Sequence, residues 1–120
     1  MKLASYNIRK AVGLDRRRDP GRILDVLNHI GADVIVLQEA DKRLGPRPTA
    51  LPRQMIADHT DYEPVELAVN AVSIGWHGNA ILVRKGTAVS DPLRIVLPGL
   101  EPRGAVSVVI DGRLRVVGVH

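Results

Sequence analysis

Two side chains with hard oxygen donors close extended, apolar segments of this sequence: Asn7 near the end of residues 3–9, and Glu39 at the end of residues 33–39. A carboxylate beside an amide oxygen is ligand chemistry for a hard cation such as magnesium. The chain has no cysteine, which excludes disulfides, thiolate zinc sites and cysteine nucleophiles together and leaves oxygen and imidazole as metal-binding groups. Of the histidines, His29 and His59 fall within helical patterns and are assigned to structure. Trp76-His77 either lines a pocket or, through Trp76, packs in the core. The run Arg16-Arg17-Arg18 is compatible with phosphate-backbone contacts, although such a run is more often a solvated loop.

The elements that must position these groups follow from periodicity. Residues 3–9 alternate as a strand does, with Leu3, Ser5 and Asn7 on one face. Asp19-Pro20 is a helix start, and Ile23, Leu24, Val26, Leu27 and Ile30 form a helical stripe that Gly31 ends. Residues 33–39 are nearly continuously apolar, the pattern of a strand covered on both faces. Together these make a βαβ unit with parallel strands, so Asn7 and Glu39 are expected at the same carboxyl edge of a sheet, where open α/β sheets bind ligands.

Residues 45–52 form a proline-containing loop before a short helix at 53–59. Beyond Tyr62 only strands are expected, at residues 63–69, 79–84, 88–97, 105–110 and 113–120. Asp111-Gly112 signals a two-residue type I′ hairpin turn. That turn predicts Ile110 opposite Arg113 and Arg103 opposite His120, and it puts Val109, Leu114 and Val116 on one face. Arg103 and His120 would then stand at the same open end of the strand pair.

Composition bounds the rest. The 120 residues carry a net charge of +4, with 17 basic residues against 13 acidic ones, an excess that suits a phosphate-bearing partner without choosing one. With no Phe, two Tyr and one Trp, the stacking platforms of single-strand binding modules are nearly absent. Neither a signal-peptide core nor an apolar run of membrane-span length is present, so a soluble, cytoplasmic protein is expected.

In order along the chain, Ser5-Tyr6-Asn7-Ile8, residues 32–39 ending in Gln38-Glu39, Gly78-Asn79-Ala80-Ile81-Leu82, Glu101-Pro102-Arg103-Gly104 and Val117-Gly118-Val119-His120 resemble the N-terminal half of the endonuclease/exonuclease/phosphatase superfamily, the DNase I-like fold. The resemblance implies an α/β (α+β) fold with mixed sheets, the N-terminal part of a four-layer α/β/β/α sandwich. It also implies one incomplete domain over residues 1–120, lacking most of the second sheet and the downstream Asp-x-Asn and Ser-Asp-His motifs. The Val109, Leu114, Val116 face is then expected to lie open to solvent.

The implied activity is Mg2+-dependent hydrolysis of phosphodiester or phosphomonoester bonds, with Mn2+ as a possible substitute, no turnover in this chain alone, and nucleic acid among the possible substrates. By that resemblance Glu39 and Asn7 hold the metal, His120 and Asn79 serve catalysis, and Asn79 contacts the substrate; the resemblance supports the Pro102-Arg103-Gly104 motif, with Arg103 either contacting the substrate or orienting carboxylates or loop carbonyls as a structural arginine. The chain departs from DNase I-type relatives in having no carboxylate near Gly78-Asn79 to orient the histidine, so Asn79 is expected as the polar partner of His120 or of the phosphate. Two other readings stay open: a non-catalytic phosphate or nucleic-acid binding module of the same fold, and an unrelated α/β domain complete as written.

Overall fold

The protein is seen in a computed structural model that describes residues 1–8, 19–40, 52–67, 74–98 and 103–119, with the backbone alone described for Arg103. Helix α1 (Pro20–Ile30) begins as its sequence dictates: the Asp19 carboxylate accepts from the Arg22 N–H at 3.1 Å, and Pro20 sits where no N–H is needed. It ends at Gly31, whose left-handed backbone (φ 61°) lets its N–H reach the Leu27 carbonyl. The expected short helix is α2 (Arg53–His59).

Strands β1 (Leu3–Asn7), β2 (Val34–Gln38), β3 (Tyr62–Pro64) and β4 (Ala80–Arg84) form one mixed sheet in the order β1-β2-β4-β3. β1 and β2 are parallel, the βαβ unit anticipated from the pattern, whereas β4 runs antiparallel to both of its neighbours. Strands β5 (Val89–Leu97), β6 (Arg103–Ile110) and β7 (Leu114–Gly118) form a second, antiparallel sheet in chain order.

The central strands β2 and β4 are buried on both faces, which accounts for the unbroken apolar run of β2. Ile35, Leu37, Ala80 and Leu82 pack with Ile23, Leu24 and Leu27 of α1 and Ile56 of α2. Val34, Val36, Ile81 and Val83 point the other way and meet Val106, Val108, Ile110 and Val116 of the second sheet. The described residues therefore stack as helices, sheet and sheet. At Gly118 the sheets come so close that an added Cβ would stand 2.8 Å from Val36 Cγ1.

The hairpin corrects the predicted register. Asp111 (φ 51°) and Gly112 (φ 67°) do turn the chain in the left-handed region, and the Arg113 N–H reaches the Ile110 carbonyl at 3.0 Å. The ladder nevertheless resumes with Ile110 opposite Leu114, Val109 opposite Arg115 and Val108 opposite Val116. Arg113 is one residue more than the tight turn requires, accommodated in the manner of a β-bulge. The physical reason is burial: the predicted pairing would set Arg113 and Arg115 on the face of Ile110 and Val108, inside the sandwich.

The observed pairing turns Arg115 outward, where its guanidinium donates to Ser107 Oγ at 2.7 Å and pairs with Asp91. Val116 is consequently buried, not open to solvent, while Leu114 stays 43% exposed. The strands expected at residues 88–97, 105–110 and 113–120 make up this second sheet, and β6 and β7 pack against the inner face of β2 and β4.

Candidate functional site

Five strand termini meet at one edge of the molecule. The parallel register sets Asn7 opposite Gln38, with the Ile8 N–H on the Gln38 carbonyl at 3.1 Å, so Asn7 and Glu39 stand at adjoining strand ends. Leu37 pairs with Ala80, which brings the start of β4 to the same edge. Asn79, just before it, donates its side-chain amide to the Gly104 carbonyl at 2.8 Å and so adds the start of β6. The end of β7 belongs here too, because Val106 pairs with Gly118.

Local backbone geometry ties these ends together. Glu39 adopts a left-handed conformation (φ 52°) that turns the chain sharply out of β2. The next N–H, of Ala40, is held by the Gly78 carbonyl at 2.8 Å. Gly78 belongs to a small hairpin in which Trp76 and Asn79 exchange backbone hydrogen bonds of 2.8 and 3.0 Å. Its two tip residues, His77 (φ 49°) and Gly78 (φ 82°), have the positive φ values of a type I′ turn. The hairpin lies against Gly104, where an added Cβ would be 2.4 Å from the Trp76 ring and 2.8 Å from His77 Cδ2.

Asn79 is 2% exposed, and its Oδ1 is buried with no hydrogen-bond partner among the described residues. An unsatisfied buried acceptor costs on the order of 1–3 kcal/mol, so this atom is poised for a donor. One residue before Glu39, Gln38 donates its side-chain amide to Oγ of Ser5, two residues before Asn7, at 3.0 Å. Ser5 and Gln38 also line a cleft of about 430 Å3, with Leu3, Val36, Val116 and Val119, between the flanks of the two sheets.

Of the residues expected to carry chemistry, Asn7, Glu39 and Asn79 are brought to this edge. The side chain of Arg103 lies outside the described residues, although its backbone starts β6 here. His120 and Arg16-Arg17-Arg18 also lie outside them. The predicted opposition of Arg103 and His120 belonged to the hairpin register corrected above. No group of three His, Cys, Asp or Glu side chains forms a metal cluster among the described residues. One carboxylate and one amide at adjoining strand ends suit magnesium, which keeps several waters and takes one or two carboxylates plus substrate phosphate oxygens.

Sequence reasoning missed the Gly104 contact and the conformation of His77. A His-Gly pair directly before Asn79 was the available signal for the latter. Glu66 was also unremarked; its carboxylate, beyond β3, is held by Arg53 at 3.0 Å.

The resolved electrostatic shifts lie elsewhere, at the opposite edge. There Asp33 is held below the usual carboxylate range, first by the Lys2 backbone N–H at 2.6 Å and also by the terminal amino group and Arg84. Arg84 donates to the Gly31 carbonyl at 2.8 Å and lies over the Tyr62 ring. Burial pushes the Tyr62 hydroxyl up while it donates to the Ala32 carbonyl. This network fastens the end of α1 to the sheet. It is structural chemistry, well away from Glu39.

Comparison with known proteins agrees with this fold. In the crystal structures, an endonuclease/exonuclease/phosphatase from Beutenbergia cavernae DSM 12333 superposes with a TM-score of 0.65 at 18% identity, over 100% of this chain and 38% of that one. The likeness establishes the fold, and the chain spans well under half of that relative's length. No curated protein matches significantly. The family model described as Endonuclease/Exonuclease/phosphatase family matches residues 4–120, and on that match the chain belongs to this family.

Proposed function

We propose that the whole protein is a divalent-cation-dependent hydrolase of phosphodiester or phosphomonoester bonds, working at the edge where Asn7, Glu39, Asn79 and the start of β6 converge. The observation that carries this reading is the adjacency of Asn7 and Glu39 at parallel strand ends, in a chain whose family comprises endonucleases, exonucleases and phosphatases. Glu39 and Asn7 would hold Mg2+, or Mn2+ in its place. When bound, the cation polarises a phosphoryl oxygen and offsets the charge that builds during in-line attack by water.

The chain's own groups do the rest. Asn79 keeps its amide N–H2 on the Gly104 carbonyl and offers the orphaned Oδ1 as an acceptor. An imidazole N–H of His120 would satisfy that acceptor, leaving the other ring nitrogen for a phosphate oxygen or for proton transfer. Arg103 would neutralise phosphate charge with its planar fork. The 120-residue chain alone is expected to show no turnover, because it corresponds to 38% of the solved relative.

The test is phosphodiesterase and phosphomonoesterase activity of the full-length protein with Mg2+, with and without Glu39→Ala. Loss of at least about 100-fold, the scale of one removed electrostatic stabiliser of the transition state, is expected. Unchanged activity would reject the site. Salt-dependent phosphate binding that is indifferent to a chelator, with no turnover, would instead support a non-catalytic binding module.

A further inference from the structure

We infer that His77 is a phosphate-contacting residue of this site, presented on the tip of the Trp76–Asn79 hairpin at the junction between the end of β2 and the start of β6. The inference rests on the proposed function and adds to it a residue assigned no role there. Its first support is conformational. The opening tip position of a type I′ turn favours Asn, Asp or Gly, and positive φ is uncommon for residues other than glycine. Here that position holds His77 at φ 49°. Glu39 is a second non-glycine residue with positive φ at this edge, and the two lie on segments joined by the Ala40 to Gly78 hydrogen bond of 2.8 Å.

The second support is orientation. The imidazole stands edge-on to the Trp76 ring, with centroids 4.5 Å apart and planes at 70°. On another side it lies over the backbone of Gly104, whose lack of a side chain makes the room. A ring held from two sides is pre-organised, and this one remains half-exposed. A turn residue alone would need neither an imidazole nor the glycine beneath it. An imidazole N–H at this junction is suited to donate to a phosphoester oxygen bound between Glu39 and the start of β6.

The experiment titrates inorganic phosphate into the full-length protein in the presence of Mg2+, following the histidine ring resonances by NMR and the affinity by calorimetry. His77→Asn serves as the variant, because asparagine tolerates the left-handed tip while removing the ring. The His77 resonances are expected to shift saturably. The variant should keep its melting temperature and bind phosphate roughly five- to tenfold more weakly, the scale of one lost hydrogen bond. Unmoved His77 resonances, or unchanged affinity in the variant, would overturn the assignment while Glu39-dependent phosphate binding left the proposed function standing. Absence of any phosphate binding by the wild-type protein would remove both. The resonance measurement needs no variant, so a misfolded His77→Asn protein would not prevent a decision.

Discussion

Glu39 and Asp33 bracket the same strand from opposite edges. Glu39 leaves β2 at the edge proposed to hold the metal, whereas Asp33 enters it at the far edge, bonded to the Lys2 N–H and near Arg84. Because the folded state depresses the Asp33 pKa, the stabilisation is present above the unfolded carboxylate value of about 4 and fades as pH falls through the lower folded value. Thermal unfolding of wild type and Asp33→Asn should therefore differ at pH 6 and converge at the acid end; a difference that persists unchanged into strong acid would contradict this origin. Asn7 and Glu39 were legible because strand alternation and a βαβ crossover fix where a strand's last residue goes. The buried state of Asn79 was not, since it depends on the Gly104 carbonyl, 25 residues away, approaching from another sheet.

Turns and caps decide the geometry between those residues. The α1 cap was readable because Asp19, Pro20 and Gly31 act locally, and Asp19→Ala should cost about 1 kcal/mol of stability by chemical denaturation. The β6–β7 register was not readable from Asp111-Gly112, because a preferred turn competes with the burial of two arginines and burial won. The small hairpin before β4 has a comparable dependence on its surroundings, as it packs on Gly104 with no space for a methyl group. Gly104→Ala should lower stability by roughly 1–3 kcal/mol, the range for overpacking, and should also shift the Trp76 fluorescence. A variant with native stability and unchanged emission would mean that the hairpin does not rest on that backbone.

Across the whole molecule, one sheet serves two cores; periodicity marked the three strands of the second sheet, while their assembly into a separate layer over β2 and β4 depends on contacts distant in sequence. Leu27 fills the helix-side core and Ile110 the sheet–sheet core, and both are fully buried. Either Leu27→Ala or Ile110→Ala should remove about 2–5 kcal/mol. Each variant should shift a single shared unfolding transition, since the two cores meet through β2 and β4; separate transitions would mean that the sheets fold independently. The same sandwich sets five strand ends at one edge, so the central claim concerns what that edge holds. The direct measurement is calorimetric Mg2+ binding to the full-length protein, with Glu39→Ala compared against Glu66→Ala, which removes a carboxylate already held by Arg53. Loss of Mg2+ binding in the Glu39 variant alone is the expected result, and undiminished binding in that variant would contradict the account.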